Sequence, residues 1–432
     1  MTSINDSQAQ LVPSLLSRLV AVERHEIAAL FASFVMFFAL LAAYYIVRPL
    51  RDEMGVTVGK DEIHHLFTIV FFVMLAAVPL FGLIASRVPR RFVLPAIYVF
   101  FAANMLAFWA VFKTSGPTTV SAGAFFIWAS VFNLFVVSLF WSLMSELWSN
   151  EEAKRLFGFI AAGGTAGSFA GPLLTRWLVD YVPPVDLLML SSALLLVAMM
   201  MSLFLRRLRP GASGHETEPA GGVILDGAKK VFSSPYFGRI ALFILLANIV
   251  GTFFYMEQSR LVGAAIPDSA GRVKFFSGRD LAVSILTITI QVFGTALVMR
   301  KLGLTAALIA LPITAAIGTL ALSYEPVLWV VAAVMVAERV VAFSLSSPAI
   351  KVMYTLAEPD EKYKVQSFID TVVYRGGDAA AGWIFAIAGG GLGFAAAAVP
   401  MLSLPLAALW LWNAKELGGA HGKRAEDAAK LA

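Results

Sequence analysis

Tyr44-Tyr45-Ile46-Val47-Arg48-Pro49-Leu50-Arg51-Asp52-Glu53-Met54 closes an apolar run that begins near Ile27. Charges at the end of so apolar a segment are expensive unless they meet water, a partner or a ligand. Arg48 and Arg51 stand i,i+3 and share a helix face with Tyr44, while Arg48 and Asp52 stand i,i+4, at pairing distance. Pro49 lacks an N–H, so a bend or break is expected there. Two readings follow. One is a cationic, aromatic-edged site where the first helix meets a water-filled cavity. The other is a boundary cluster whose arginines reach out to lipid headgroups.

The same pattern returns later in the chain. Tyr44-Tyr45-x-x-Arg48-x-x-Arg51 matches Phe253-Phe254-x-x-Glu257-x-x-Arg260, an offset of 209 residues. Glu151-Glu152-Ala-Lys-Arg-Leu-Phe-Gly-Phe159-Ile160 matches Asp360-Glu361-Lys-Tyr-Lys-Val-Gln-Ser-Phe368-Ile369 at the same offset. Two separate matches in one register mark an internal repeat. Repeats that begin on one membrane side each hold an even number of spans.

Composition sets the class. Of 432 residues, 59% are hydrophobic and 14% charged, with a mean hydropathy of +0.79. A soluble chain carries about a quarter charged residues. The apolar runs are long enough to span a bilayer. With no cysteine, disulfides, thiolate metal sites and cysteine nucleophiles are excluded. The net charge of +5 points to topology rather than to nucleic acid, because the basic residues gather at helix ends.

The expected layout is all-α and integral to the membrane, with twelve helices. A polar arm (1–26) without a signal-peptide pattern precedes six helices (27–205), near Ile27–Val47, His64–Ile84, Phe92–Phe112, Val120–Met144, a fifth after Arg155, and Asp186–Leu205. A polar, Pro- and Gly-containing linker (206–235) follows. Six more helices (236–413) are expected near Ile240–Tyr255, Leu281–Val298, Leu304–Ser323, Val327–Ser346, Gln366–Ala388 and Leu392–Trp412, then a basic tail (414–432). Arg87, Arg90, Arg91, Lys154, Arg155, Arg206, Arg207, Arg209, Lys229, Lys230, Arg300 and Lys301 fall on one side if both termini are cytoplasmic, which predicts a multi-pass protein of the cell (inner) membrane in that orientation.

Two tempting motifs carry no chemistry. His64-His65 reads as a helix start, because sequence neighbours point to different sides of a helix. Gly163-Gly164-Thr165-Ala166-Gly167-Ser168 lacks the following lysine of a phosphate loop and lies inside an apolar helix, so close helix packing is expected of it.

Gly82-Leu-Ile-Ala-Ser86-Arg87-Val-Pro89-Arg90-Arg91 resembles the loop between helices 2 and 3 of major facilitator superfamily transporters, with Ser86 and Pro89 departing from the pattern. Together with the repeat, this implies the major facilitator fold: two six-helix pseudo-repeats around a central site. A narrower resemblance is to the ATP/ADP translocases of plastids and intracellular bacteria. It is carried by Tyr45-Ile-Val-Arg48-Pro-Leu-Arg51-Asp52, by Phe140-Trp141 with Glu151-Glu152-Ala-Lys154-Arg155-Leu-Phe157, and by Ser233-Ser234-Pro-Tyr236. Lys351-x-Met353-Tyr354, Asp360-Glu361-Lys362-x-Lys364 and Ile369-Asp370-x-Val complete it. The likeness implies transport of a nucleotide-like or phosphorylated anion by exchange. Arg51 stands where those proteins keep a functional lysine. Ala129 and Phe254 fall near two of their glutamates, and Asp378 falls near a lysine. With these departures the chain looks like a divergent relative of that family.

The second half has its own embedded charges. Glu338-Arg339 lies inside a helix, where an ion pair bracing helices is the bland alternative to function. Asp370, Tyr374 and Asp378 form one stripe, with Arg375 i,i+3 from Asp378. The expected substrate contacts are Tyr44, Arg48, Arg51, Asp52, Glu257, Arg260, Lys351, Tyr374 and Arg375. The expected proton or charge-coupling groups are Glu338, Asp370 and Asp378. The expected partners are a small anionic metabolite and the bilayer, with no nucleic acid. A proton-coupled carrier of another small solute is the alternative. No metal spacing, nucleophile constellation or cofactor motif supports an enzyme.

Overall fold

The computed structural model describes residues 22–59, 62–87, 90–209, 220–388 and 400–431. Six helices precede the polar insert: α1 (Ile27–Val58), α2 (Ile63–Arg87), α3 (Arg90–Ser115), α4 (Thr119–Leu147), α5 (Asn150–Leu178) and α6 (Leu187–Leu208). The short α7 (Ala220–Ser233) lies within the insert. After it come α8 (Pro235–Ala265), α9 (Ser269–Lys301), α10 (Gly303–Tyr324) and α11 (Leu328–Leu356). Then α12 runs Pro359–Phe368, loosens into a π turn over Ile369–Val373 and resumes as Tyr374–Ala386, and α13 is Ser403–Leu431. Among the described residues, nine of these helices are long and apolar enough to cross a membrane. Residues 1–21, 210–219 and 389–399 lie outside the described residues, as do the side chains of Ser86, Arg87, Pro89, Arg90 and Arg91.

Several helices outrun their hydropathy. α1 does not stop at Val47. It passes through Pro49 and ends at Gly59, whose φ of 99° suits only glycine. Proline costs a helix one hydrogen bond and a clash, and here the packing of α1 against α4, α5, α6 and α9 outweighs that cost. α9 begins at Ser269 rather than Leu281, because its polar first turns find partners in the other half. α11 continues to Leu356, which carries Lys351 into the helix. α13 extends to Leu431, so the expected tail is largely helical. α7 turns part of the expected linker into a helix docked on the start of α12. There Lys230 meets Glu361 at 3.1 Å and Gly227 lies against the Lys364 carbonyl.

Small residues set the approach of α1 and α5. A Cβ on Gly163 or Gly167 would collide with the carbonyl oxygen of Phe34 or Phe38, and one on Gly171 would come 2.7 Å from Tyr45 Cβ. The stripe is a packing face, as its sequence implied. His64 and His65 open α2, with ring centroids 4.0 Å apart, and both rest on Trp383.

α1 and α8 run parallel, and their far ends meet where Val56 Cγ1 sits 3.0 Å from the position of a Cβ on Gly263. Both halves therefore start from one end of the bundle, called here the terminal end. Hydrogen bonds cross between the halves at the opposite, far end. There Trp383 donates to Thr68 at 2.9 Å; nearer the middle of the bundle Ser284 donates to the Ser168 carbonyl at 3.0 Å.

Candidate functional site

Between the halves lies a cavity of about 660 Å³. The first half contributes Tyr44, Tyr45, Arg48, Arg51 and Asp52 from α1, with Phe67 from α2 and Phe126, Ser130 and Asn133 from α4. From the second half come Asn248, Thr252 and Tyr255 on α8, Glu338, Arg339 and Lys351 on α11, and Asp370, Tyr374, Arg375 and Asp378 on α12. Lys351, Tyr354 and Gln366 carry the lining to the terminal end, so the cavity reaches in that direction.

The charges on its wall are unevenly matched. Asp378 accepts from Thr252 at 3.0 Å and lies 3.3 Å from Arg375. Arg51 packs its guanidinium over Phe126, 4.4 Å from the ring centroid, and 5.9 Å from that of Tyr255. Its Nε is buried without a hydrogen-bond partner, as is that of Arg339. Among the described residues, neither Arg51, Arg339 nor Lys351 has a carboxylate within 4.0 Å. Glu338 and Asp370 likewise lack an ion pair there. With all groups ionised, Arg48, Arg51, Arg339, Lys351 and Arg375 outnumber Asp52, Glu338, Asp370 and Asp378 by one. A cation with idle donors in a low-dielectric wall is incompletely compensated, and an anion completes it.

Beyond the cavity the far end is shut by a buried charge lattice. Arg279 of α9 is 4% exposed. It donates to Asp52 at 2.7 Å, to Asp280 at 3.0 Å and to the Gln258 side chain. Tyr255 donates to the other Asp52 oxygen at 3.2 Å, and Arg48 lies 3.5 Å from Asp280. One layer outward, Arg272 holds Glu53 at 2.8 Å and Lys274 holds Asp180 at 2.6 Å. Each of these outer pairs joins one half to the other.

All of the sequence-predicted site residues line the cavity except Glu257 and Arg260. Those two pair with each other at 2.9 Å outside its lining, so Arg260 does not stand beside Arg51 as the repeat suggested. The expected Arg48–Asp52 pairing also gives way: Asp52 turns to Arg279 and Arg48 to Asp280, which offer partners from the other half. Ala129 and Phe254 are packed in the core and do not line the cavity. Sequence reasoning missed Arg279 and Asp280, which fall just before the helix expected to begin near Leu281. It left Arg339 unassigned as the partner of its neighbour Glu338. The signal available was an intramembrane arginine, which is as expensive as the acid beside it.

A family model described as Major Facilitator Superfamily matches residues 27–381. A search of characterised protein sequences finds no match. Among solved structures, a mutant form of the nucleoside transporter NupG is similar over 91% of this chain and 100% of its own, with a TM-score of 0.65 and 12% identity. An auto-inhibited POT family peptide transporter is similar over 92% and 97%, with a TM-score of 0.63 and 14% identity. A bacterial homolog of the human lysosomal transporter Spinster, inward-facing and unoccupied, is similar over 95% and 96%, at 0.54 and 13%. At such identities the likeness is one of fold.

Proposed function

The chain belongs to the Major Facilitator Superfamily, and from that premise we propose that it is a secondary transporter of a small anionic metabolite, nucleotide-like or phosphorylated, moved by alternating access and exchange. The observation that carries this reading is the pair of guanidinium groups, Arg51 from α1 and Arg339 from α11, which face one inter-half cavity and, among the described residues, each have no carboxylate within 4.0 Å. An anion bridging them replaces a missing ion pair and draws the halves together. Aromatic walls at Tyr44, Phe67, Phe126 and Tyr255 suit a planar substrate body. The translocase-like motifs favour a phosphorylated ligand. The lining has only one more cation than acid, which favours an anion less charged than ATP.

The test is counter-flow in reconstituted vesicles loaded with nucleotides, sugar phosphates or organic acids. Arg51→Gln is expected to lose most transport and Arg51→Lys part of it, because lysine keeps the charge but not the paired donors. Loss of a charge-assisted contact costs about 1.5–3 kcal/mol, or roughly ten- to a hundredfold in binding. Uptake of an anion by Arg51→Gln at the native rate would sink the anion site. Robust ATP/ADP exchange by the native protein would sink the charge argument.

A second reading, a proton-coupled carrier, is favoured by Glu338 and Asp370, two cavity carboxylates without an ion pair among the described residues. Under it, Glu338→Gln, Asp370→Asn or Asp378→Asn flattens the pH dependence of uptake while leaving exchange intact. Unchanged pH dependence in all three removes that reading.

A further inference from the structure

A second recess of about 960 Å³ opens on the outer surface of the second half, away from the central cavity. Its walls are α9, α10 and α11. Ala282, Ala332, Ala333 and Ala337 leave it wide, and Ile285 and Val336 make it apolar. From Gly278 to Ile290 it follows α9 for about 18 Å, which is close to one leaflet of a hydrocarbon core about 30 Å thick. Its head is different in chemistry. Arg176 of α5, from the other half, lies across α9 at Gly278, where a Cβ would come 2.9 Å from Nη1. One of its nitrogens donates to the Lys274 carbonyl at 3.2 Å, and the side chain is exposed. The neighbouring acid, Asp180, is already held by Lys274. Trp177 and Tyr181, exposed beside Arg176, mark this level as the membrane–water interface.

We propose that this recess is a site for an anionic phospholipid of the far leaflet, with its phosphate on Arg176 and one acyl chain laid between α9 and α11. Water does not fill an apolar recess at hydrocarbon depth, and a chain does. The head carries a guanidinium with donors to spare and no free acid beside it. Arg279 forms part of the floor while its guanidinium turns inward to Asp52. The head of the site spans both halves, because Arg176 and Gly278 come from opposite sides of the seam. It is therefore complete only while the far end is shut, and the bound lipid favours that state.

The chain has no native cysteine, so one reporter reads the far end cleanly. Val56→Cys lies at the α1–α8 contact, and alkylation from the far side reports opening. In vesicles of phosphatidylcholine alone, its labelling rate is the baseline. Replacing part of the lipid with phosphatidylglycerol is expected to slow labelling severalfold, and added inorganic phosphate is expected to do nothing. Arg176→Ala removes the head contact and Ala333→Trp fills the recess, so both are expected to abolish the phosphatidylglycerol effect. Native mass spectrometry should then find fewer retained phosphatidylglycerol molecules on both variants. No slowing by phosphatidylglycerol, or equal slowing in both variants, overturns the proposal. None of these readouts depends on the transported substrate.

Discussion

At the scale of single residues, Arg279 ties two buried carboxylates and the Gln258 side chain together. It is buried, and it neutralises Asp52 from the other half and Asp280 beside it. Removing one member of such a buried set leaves charges uncompensated and costs about 3–5 kcal/mol. Because Asp52 lies across the seam, part of that loss falls on the closed far end. Arg279→Gln is expected to raise far-side alkylation of Val56→Cys well above the native rate. An unchanged rate would mean that the outer pairs, Arg272–Glu53 and Lys274–Asp180, suffice to keep it shut. Arg51 has the opposite character. It packs over Phe126 with an idle Nε, so its loss is expected to impair substrate binding while leaving the fold in place. Equal thermal stability of native protein and Arg51→Gln in detergent would bear that out.

At the scale of elements, the contact of α1 with α5 depends on bare backbone. Gly167 faces the Phe38 carbonyl with no room for a side chain. Gly167→Ala is expected to cost about 1–3 kcal/mol by forcing the helices apart, and Gly167→Leu more. A lower unfolding temperature for both, graded with volume, is the readout. A different device recurs in the second half, where α9, α11 and α12 each contain a π turn. Those of α9 and α11 face each other, with Gln291 donating to the Phe343 carbonyl at 3.1 Å and Thr295 to that of Ser344 at 2.7 Å. Each side chain reaches a carbonyl in the widened turn of the neighbouring helix.

For the whole molecule, hydrogen bonds lock the halves at the far end, while the central cavity extends to Lys351 and Gln366 at the terminal end. The geometry matches a carrier open toward the side of its termini. With the termini cytoplasmic, as the basic loops imply, Gln366→Cys is expected to react with a membrane-impermeant reagent in inverted vesicles and not in intact cells. Reaction from the outside alone would reverse the orientation. A transported anion is expected to slow that reaction, because occupancy brings the two halves together.

The sequence by itself determined the class, the helical repeat and most of the charged groups on the cavity wall. Hydropathy is a local property, and lipid-length apolar runs have few folds open to them. The 209-residue offset carried the two-half layout, and embedded charges such as Arg51, Glu338 and Asp370 announced themselves by their cost. What only the tertiary structure decided is which charge meets which. Arg48 and Asp52 looked like a pair on one helix, yet each finds its partner on α9, in a polar stretch ahead of the helix expected from Leu281. Glu257 and Arg260 looked like site residues by repeat symmetry, yet they satisfy one another outside the cavity lining. Helical spacing states which residues share a face. Which face meets the cavity depends on how the thirteen helices among the described residues pack, and that is settled by long-range burial and by glycines such as Gly167, whose value lies in the neighbour they admit.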